Sequence, residues 1–152
     1  MRISKPIERS GLPKNINRKY KYLMDMVSAL NEKEIPDDFA ESSNEMIERL
    51  NEVQSDDTDF KKQLFKVKSR IYKQMTTELK YVPKGYYQTI WMSVGMAAFG
   101  IPFGVMFGAA LDNMAFRGIG LPIGMPIGMA LGAGLDQKAA REGRQLNIKI
   151  NL

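Results

Sequence analysis

The stretch IWMSVGMAAFGIPFGVMFGAAL (residues 90–111), followed by DNMAFR (112–117) and GIGLPIGMPIGMALGAGLD (118–136), decides the fold. The first run is 22 residues with Ser93 its only polar side chain. At about 1.5 Å per residue it reaches about 33 Å, enough for a bilayer core of about 30 Å. The second run, residues 118–135, is 18 residues long. As a helix it reaches about 27 Å, short but within the tolerance of a membrane span. Two such runs joined by a short polar turn predict an antiparallel, membrane-inserted helical hairpin over residues 90–136. The alternative is a buried hairpin inside a tight water-soluble oligomer; long uncharged runs favour lipid.

Inside the hairpin the glycines are periodic: Gly100, Gly104 and Gly108 on the first run, and Gly120, Gly124, Gly128 and Gly132 on the second. Every fourth residue falls on nearly one helix face. A face without side chains lets two backbones approach until dispersion and Cα–H contacts hold them together in lipid. These seven glycines are the predicted helix-packing and oligomerisation residues. The runs also repeat internally, GIPFGVMFGAAL at residues 100–111 aligning with GLPIGMPIGMAL at 120–131, so that Pro102 matches Pro122 at an offset of 20 residues. Pro102, Pro122 and Pro126 are tolerated in such helices where neighbours satisfy the freed carbonyls, and they predict kinks or a re-entrant path.

Outward from the hairpin, the residues before it read as a joint (83–89). Pro83 removes a backbone donor and Gly85 loosens the chain, so a break is expected. Tyr81, Lys84, Tyr86, Tyr87 and Trp91 are the predicted membrane-interface anchors. Such aromatics have one wet and one apolar end, and a lysine reaches lipid phosphates from the same level. In the turn, Asp112, Asn113 and Arg117 read as solvated, and Asp136 and Lys138 as the solvated exit. Were several hairpins to gather round an axis, Asp112 would ring one pore mouth and favour cations.

The region before the joint is chemically different. The mean hydropathy of −0.29 averages a charged first half with a nearly charge-free second. Residues 1–14 form a basic extended arm, with Pro6, Gly11 and Pro13 preventing an early helix, and no apolar segment follows that would make a secretory leader. Residues 15–82 predict three amphipathic helices in a small soluble bundle. Ile16, Tyr20, Leu23, Val27 and Leu30 stripe the first helix. Phe39, Met46, Leu50 and Val53 stripe the second, with Asp37 and Asp38 as its cap. Phe60, Leu64, Val67, Ile71, Met75, Leu79 and Val82 stripe a long third, opened by a capping cluster at residues 55–59. Charge is zoned: residues 32–59 hold eleven acidic side chains against Lys33 and Arg49, and residues 61–84 hold eight basic ones against Glu78. The plain expectation is solvated faces, with acidic helix packed on basic helix. The basic run also suits anionic lipid headgroups. No nucleic-acid partner is expected.

Residues 137–152 read as a basic tail. Leu146, Ile148, Ile150 and Leu152 alternate with polar residues, which predicts a short strand whose partner is a neighbouring subunit or the residues near Ile3. Basic side chains flank the hairpin on both outer sides, whereas the turn has one Arg and one Asp. The positive-inside rule therefore puts both termini in the cytoplasm. With no Cys and no His, the chain has no thiolate, imidazole or common zinc ligand, and no phosphate-cradling loop. An enzyme, a cofactor and a metal site are all argued against.

The doubled hairpin, GMAAFGIPFGVMFGAALDNMAF followed by GIGLPIGMPIGMALGAGLDQKAAREGRQL, resembles the bacterial glycine-zipper family of small membrane proteins over residues 86–146. That resemblance implies a membrane hairpin with tight helix packing and leaves activity open. Glycine zippers also occur in channels, pore-forming toxins and secreted membrane-disrupting effectors. The expectation is therefore an all-α protein: an N-terminal amphipathic bundle, a transmembrane glycine-zipper hairpin and a short C-terminal strand. It would be a bacterial inner-membrane homo-oligomer forming a channel or pore. A secreted membrane-inserting effector or toxin and a non-conducting membrane scaffold are the alternatives.

Overall fold

The computed structural model describes residues 2–54 and 58–149. The chain is mostly helical and divides into two units, one running to Tyr81 and regaining the chain from Leu146, the other Val82–Gln145.

In the first unit, α1 (Lys14–Leu30), α2 (Asp37–Glu52) and α3 (Thr58–Thr77) bury their apolar stripes against one another. Ile16, Tyr20, Leu23, Val27 and Leu30 are all buried, as are Phe39, Leu50, Phe60, Leu64, Val67, Ile71 and Met75. The stripe of α2 is sharper than the sequence implied, because Ala40, Ser43 and Ile47 fill the interior while Met46 and Val53 only flank it. Pro36, not an aspartate, is the N-cap of α2. Asp37 and Asp38 occupy the first turn, where they complement the helix dipole. The capping cluster expected before α3 includes residues 55–57, which lie outside the described residues. The far end of α3 comes early: Thr76 and Thr77 turn their hydroxyls back onto carbonyls of the preceding turn, and Lys80 adopts a left-handed φ of 58°. Leu79 and Val82 are therefore off the helix.

The basic arm is built into this unit. Ile3 is buried, and three asparagines hold the extended backbone beside it. Asn31 exchanges two bonds of 2.8 Å with the Ile3 amide and carbonyl, Asn44 accepts from Ser4 at 2.6 Å, and Asn51 accepts from Ile7 at 3.2 Å. Arg9 donates to the carbonyls of Leu50, Asn51 and Val53, so a cation closes the C-terminal end of α2. Its guanidinium also lies 4.7 Å from the Phe60 ring centre. Tyr20 donates its hydroxyl to the Ile7 carbonyl at 2.5 Å. Burial pushes the Tyr20 phenol above its ordinary pKa, against the smaller opposing pull of Arg9. The acidic α2 packs on the basic α3 as expected, and the basic α1 packs on α3 as well. Burial, then Lys19 and Arg18 of α1, hold the Lys68 ammonium of α3 below the usual lysine value. The ion pairs Glu45–Arg49 and Asp59–Lys62 each lie within one helix.

The terminal strand forms as β2 (Gln145–Lys149), with Leu146 and Ile148 buried in the first unit's core. Within the chain its partner is β1 (Val82–Lys84), with which it pairs in parallel, and not the residues near Ile3. The further alternating residues, Ile150 and Leu152, lie outside the described residues.

The second unit is a helical hairpin. Gly85, at φ 77°, turns the chain into α4 (Tyr86–Gly95), which continues through a π-helical turn (Met96–Gly100) into α5 (Ile101–Ala110). A 3-10 turn (Met114–Ile119) leads to α6 (Gly120–Arg141), which carries Pro126 in its interior. No re-entrant break occurs. Pro122 sits in the first turn of α6, where its missing N–H has no helical acceptor to lose. Pro102 is the second residue after the π turn, whose widened ring accommodates a proline that lacks an N–H and crowds the preceding turn. The result is two helices long and apolar enough to cross a membrane, residues 86–110 and 117–141.

Candidate functional site

All seven predicted packing glycines are buried, and what covers them is the facing helix and turn of the same chain. A methyl group at Gly124 would sit 2.5 Å from both the Gly95 carbonyl oxygen and the Gly100 nitrogen. At Gly120 it would overlap the Gly100 carbonyl and the Gly104 nitrogen, and at Gly128 the Trp91 carbonyl. At Gly132 it would meet the Gln88 Cα at 2.5 Å and the Tyr87 carbonyl at 2.6 Å. These neighbours are backbone atoms, which cannot swing aside as a side chain would. The two helices are thus in backbone-to-backbone contact along α4, the π turn and α6. Toward the turn, Gly104 and Gly108 receive the Arg117 carbonyl and the aliphatic stem of the Arg117 side chain. Arg117, expected to be a purely solvated turn residue, is part of the packing while its side chain remains exposed overall.

Two further members of this face were not anticipated. Gly95 is buried, and a methyl there would stand 2.5 Å from the Gly124 carbonyl oxygen and 2.6 Å from the Gly128 Cα. It falls five residues before Gly100, outside the four-residue register. The π turn absorbs the extra residue and returns both glycines to one face. Asp136, expected to be a solvated exit residue, is buried at 8% exposure. Its carboxylate accepts from the Tyr87 amide at 3.1 Å and the Gln88 amide at 3.0 Å. These are first-turn donors of α4 that have no partner within their own helix, and Gly85 at its N-cap has no side chain to offer them. A carboxylate from the end of α6 therefore caps the start of α4 and meets its positive dipole end. Asp136 lies four residues beyond Gly132, so the four-residue series runs on into the cap.

The predicted anchors do not form one set. Tyr86, Tyr87 and Trp91 are half-buried at the start of α4, the two tyrosine rings edge to face with centres 5.1 Å apart, and Lys84 is exposed beside them. Arg144 bonds the Glu142 carboxylate and, secondarily, the Tyr87 hydroxyl; these two bonds raise its pKa above the ordinary arginine value. Tyr81 belongs to the first unit, where its hydroxyl donates to the Glu34 carbonyl at 3.2 Å. Asp112 is exposed in the turn with a left-handed φ of 46°.

Away from the glycine face the hairpin presents Ile90, Val94, Phe99, Ile101, Val105 and Met106 on one helix and Leu121, Ile123, Ile127 and Leu131 on the other, all exposed. Among the described residues there is no group of three or more Asp or Glu side chains placed to hold a metal ion. The hairpin combines an apolar exterior with a backbone-lined interior. Compared with known proteins, the chain matches no family model, no curated protein and no solved structure.

Proposed function

We propose that the protein is an integral membrane protein whose glycine-zipper hairpin anchors and scaffolds an N-terminal helical domain at the cytoplasmic face of a bacterial inner membrane. One observation carries the proposal: the hairpin is inside out relative to a soluble core. Its large apolar side chains point outward and its glycines inward, and only 17% and 22% of the most apolar stretches of its two helices are buried. A core helix of a water-soluble protein would be covered on most sides. An exposed apolar surface of this extent, on helices that reach about 37 Å, is what hydrocarbon solvates. Basic residues outside both ends of the hairpin favour cytoplasmic termini.

Among the membrane roles open to such a hairpin, the scaffold is better supported than the channel or the membrane-disrupting effector. Packing of the glycine faces on the facing helix and on Arg117 within one chain supports this reading, since it leaves those faces less open to a neighbouring subunit. Within residues 90–111 and 118–135 the outward side chains other than Ser93 are apolar, and a lumen lined by them would exclude water. The test is carbonate extraction of membranes, mass determination of the detergent-solubilised protein, and conductance in planar bilayers. Retention in the membrane without conductance is expected. Release into the carbonate wash would remove the membrane assignment. Multi-subunit particles that conduct would restore the channel.

A further inference from the structure

The solvent face of α3 is a feature that the core of the first unit does not use. Phe60, Leu64, Val67, Ile71 and Met75 point inward. The opposite side of the helix carries Lys62, Phe65, Lys66, Ser69, Arg70 and Lys73. Phe65 is 60% exposed, a large apolar side chain standing among cations. Together with its neighbours it lines an open groove of about 550 Å³, with the acidic Glu78 at the C-terminal end. Lys62 shares its charge with Asp59 at 3.4 Å, and both are exposed.

From this face, and resting on the membrane reading of the hairpin, we infer that α3 docks the N-terminal domain onto anionic phospholipid headgroups, with Lys66, Arg70 and Lys73 meeting phosphates and Phe65 entering the headgroup–acyl boundary. Three observations select lipid as the occupant. The cations are clustered on one side and match an anionic surface. Phe65, poorly placed in water, suits a boundary whose one side is hydrocarbon. The end of α3 is also tied to the first spanning helix by residues 78–85, a tether whose reach is at most about 30 Å. The domain therefore stays within a short distance of a bilayer surface and meets it at high effective concentration, so weak individual contacts suffice. Each Lys or Arg at an anionic surface is worth about a fivefold change in the docking equilibrium.

The chain contains no cysteine, so Ser69→Cys in the full-length protein gives a single site for an environment-sensitive dye on this face. The protein is reconstituted in vesicles of phosphatidylcholine alone, or with phosphatidylglycerol added, each containing a headgroup-level spin-labelled quencher. Quenching of the dye is expected with phosphatidylglycerol only. It should be lost as salt rises from about 0.1 M to about 1 M, where screening shortens from about 10 Å to about 3 Å. Lys66→Glu with Lys73→Glu should weaken docking by at least about thirtyfold, and Phe65→Ala should weaken it in the same vesicles. Trp91, the only tryptophan, reports insertion separately through quenching by brominated acyl chains. Trp91 quenched with the dye indifferent to lipid charge would overturn docking and leave the membrane anchor standing. Trp91 unquenched would overturn both. Dye protection by an added oligonucleotide, without any dependence on lipid charge, would assign the face to nucleic acid and overturn the lipid assignment.

Discussion

Two glycines of the same helix should respond in opposite ways to one added methyl group. Gly128 and Gly134 both lie in α6, so Gly→Ala gains the same intrinsic helix preference at each, about 1 kcal/mol. Around Gly134 nothing lies within 4 Å of the new Cβ, and the variant should show that gain. At Gly128 the Cβ would overlap the Trp91 carbonyl oxygen, and would lie 2.8 Å from the Trp91 carbonyl carbon and 3.0 Å from the Gly95 Cα. Restoring ordinary contact distances of about 3.5–4.0 Å moves the helices apart by about 1 Å or more. A gap of that size forfeits a quarter to a half of each dispersion contact along the face. Overpacking of this kind costs about 1–3 kcal/mol. Because the propensity term cancels, Gly128→Ala should lie about 1–3 kcal/mol below Gly134→Ala. The assay is titration of the detergent-solubilised protein with SDS, followed by the fluorescence of Trp91, which sits at the contact. Equal midpoints, or a higher midpoint for Gly128→Ala, would refute the backbone contact between α4 and α6.

Further outcomes follow from the cap, the turn and the phenol. Asp136→Ala should lower the SDS midpoint by the equivalent of about 1–2 kcal/mol, since two first-turn amides of α4 lose their acceptor, and Asp136→Asn by less; an unchanged midpoint for the alanine variant would exclude the cap. Deleting Ala98 removes the extra residue of the π turn and leaves Gly95 and Gly100 four apart, so the SDS midpoint should hold, whereas deleting Val105 should lower it by rotating Gly108 off the face. The folded-state pKa of Tyr20 lies above the phenol value of about 10, so the stability it contributes is present below about pH 10 and is lost as the pH rises through the folded value. Thermal melts of the parent and Tyr20→Phe, followed by circular dichroism, should therefore differ in the parent's favour at pH 8 and converge above about pH 10; a constant difference would rule out a protonation origin.

The helical stripes of the first unit were legible because burial there follows helical periodicity. Ile16 through Leu30 and Phe60 through Met75 recur at threes and fours, and all are in the core. The extended course of the arm was legible from its prolines and glycine, but its docking was not, because what holds it is not a pattern along the chain. Asn31, Asn44 and Asn51 are ordinary helix-surface asparagines in sequence. They acquire their role only when the extended backbone of residues 3–7 lies across them. The partner of β2 was missed for a related reason. A three-residue strand containing Pro83 has no alternation to read, and proline argues against a strand interior, yet at a sheet edge the missing donor leaves no bond broken.

The hairpin shows more sharply where a periodic reading ends. A strict four-residue rule finds seven glycines and stops at Gly100, because Gly95 is one residue out of step. The sequence does carry a signal for the exception: Pro102 cannot donate to the turn before it, and such a position tolerates one extra residue in the preceding turn. Gly95 becomes a member of the face only through that π turn. The same rule, continued one step past Gly132, reaches Asp136, which looks like a solvated boundary because it is charged. Its burial follows from what lies opposite, the uncapped amides of Tyr87 and Gln88, which a backbone-lined interface brings within bonding distance of a short carboxylate. A charge at the end of a glycine stripe is thus better read as the terminal contact of that stripe than as the start of the solvent. In this hairpin it also fixes the register, since only one alignment of α4 on α6 places the carboxylate over both amides while every glycine of α6 on the stripe meets backbone.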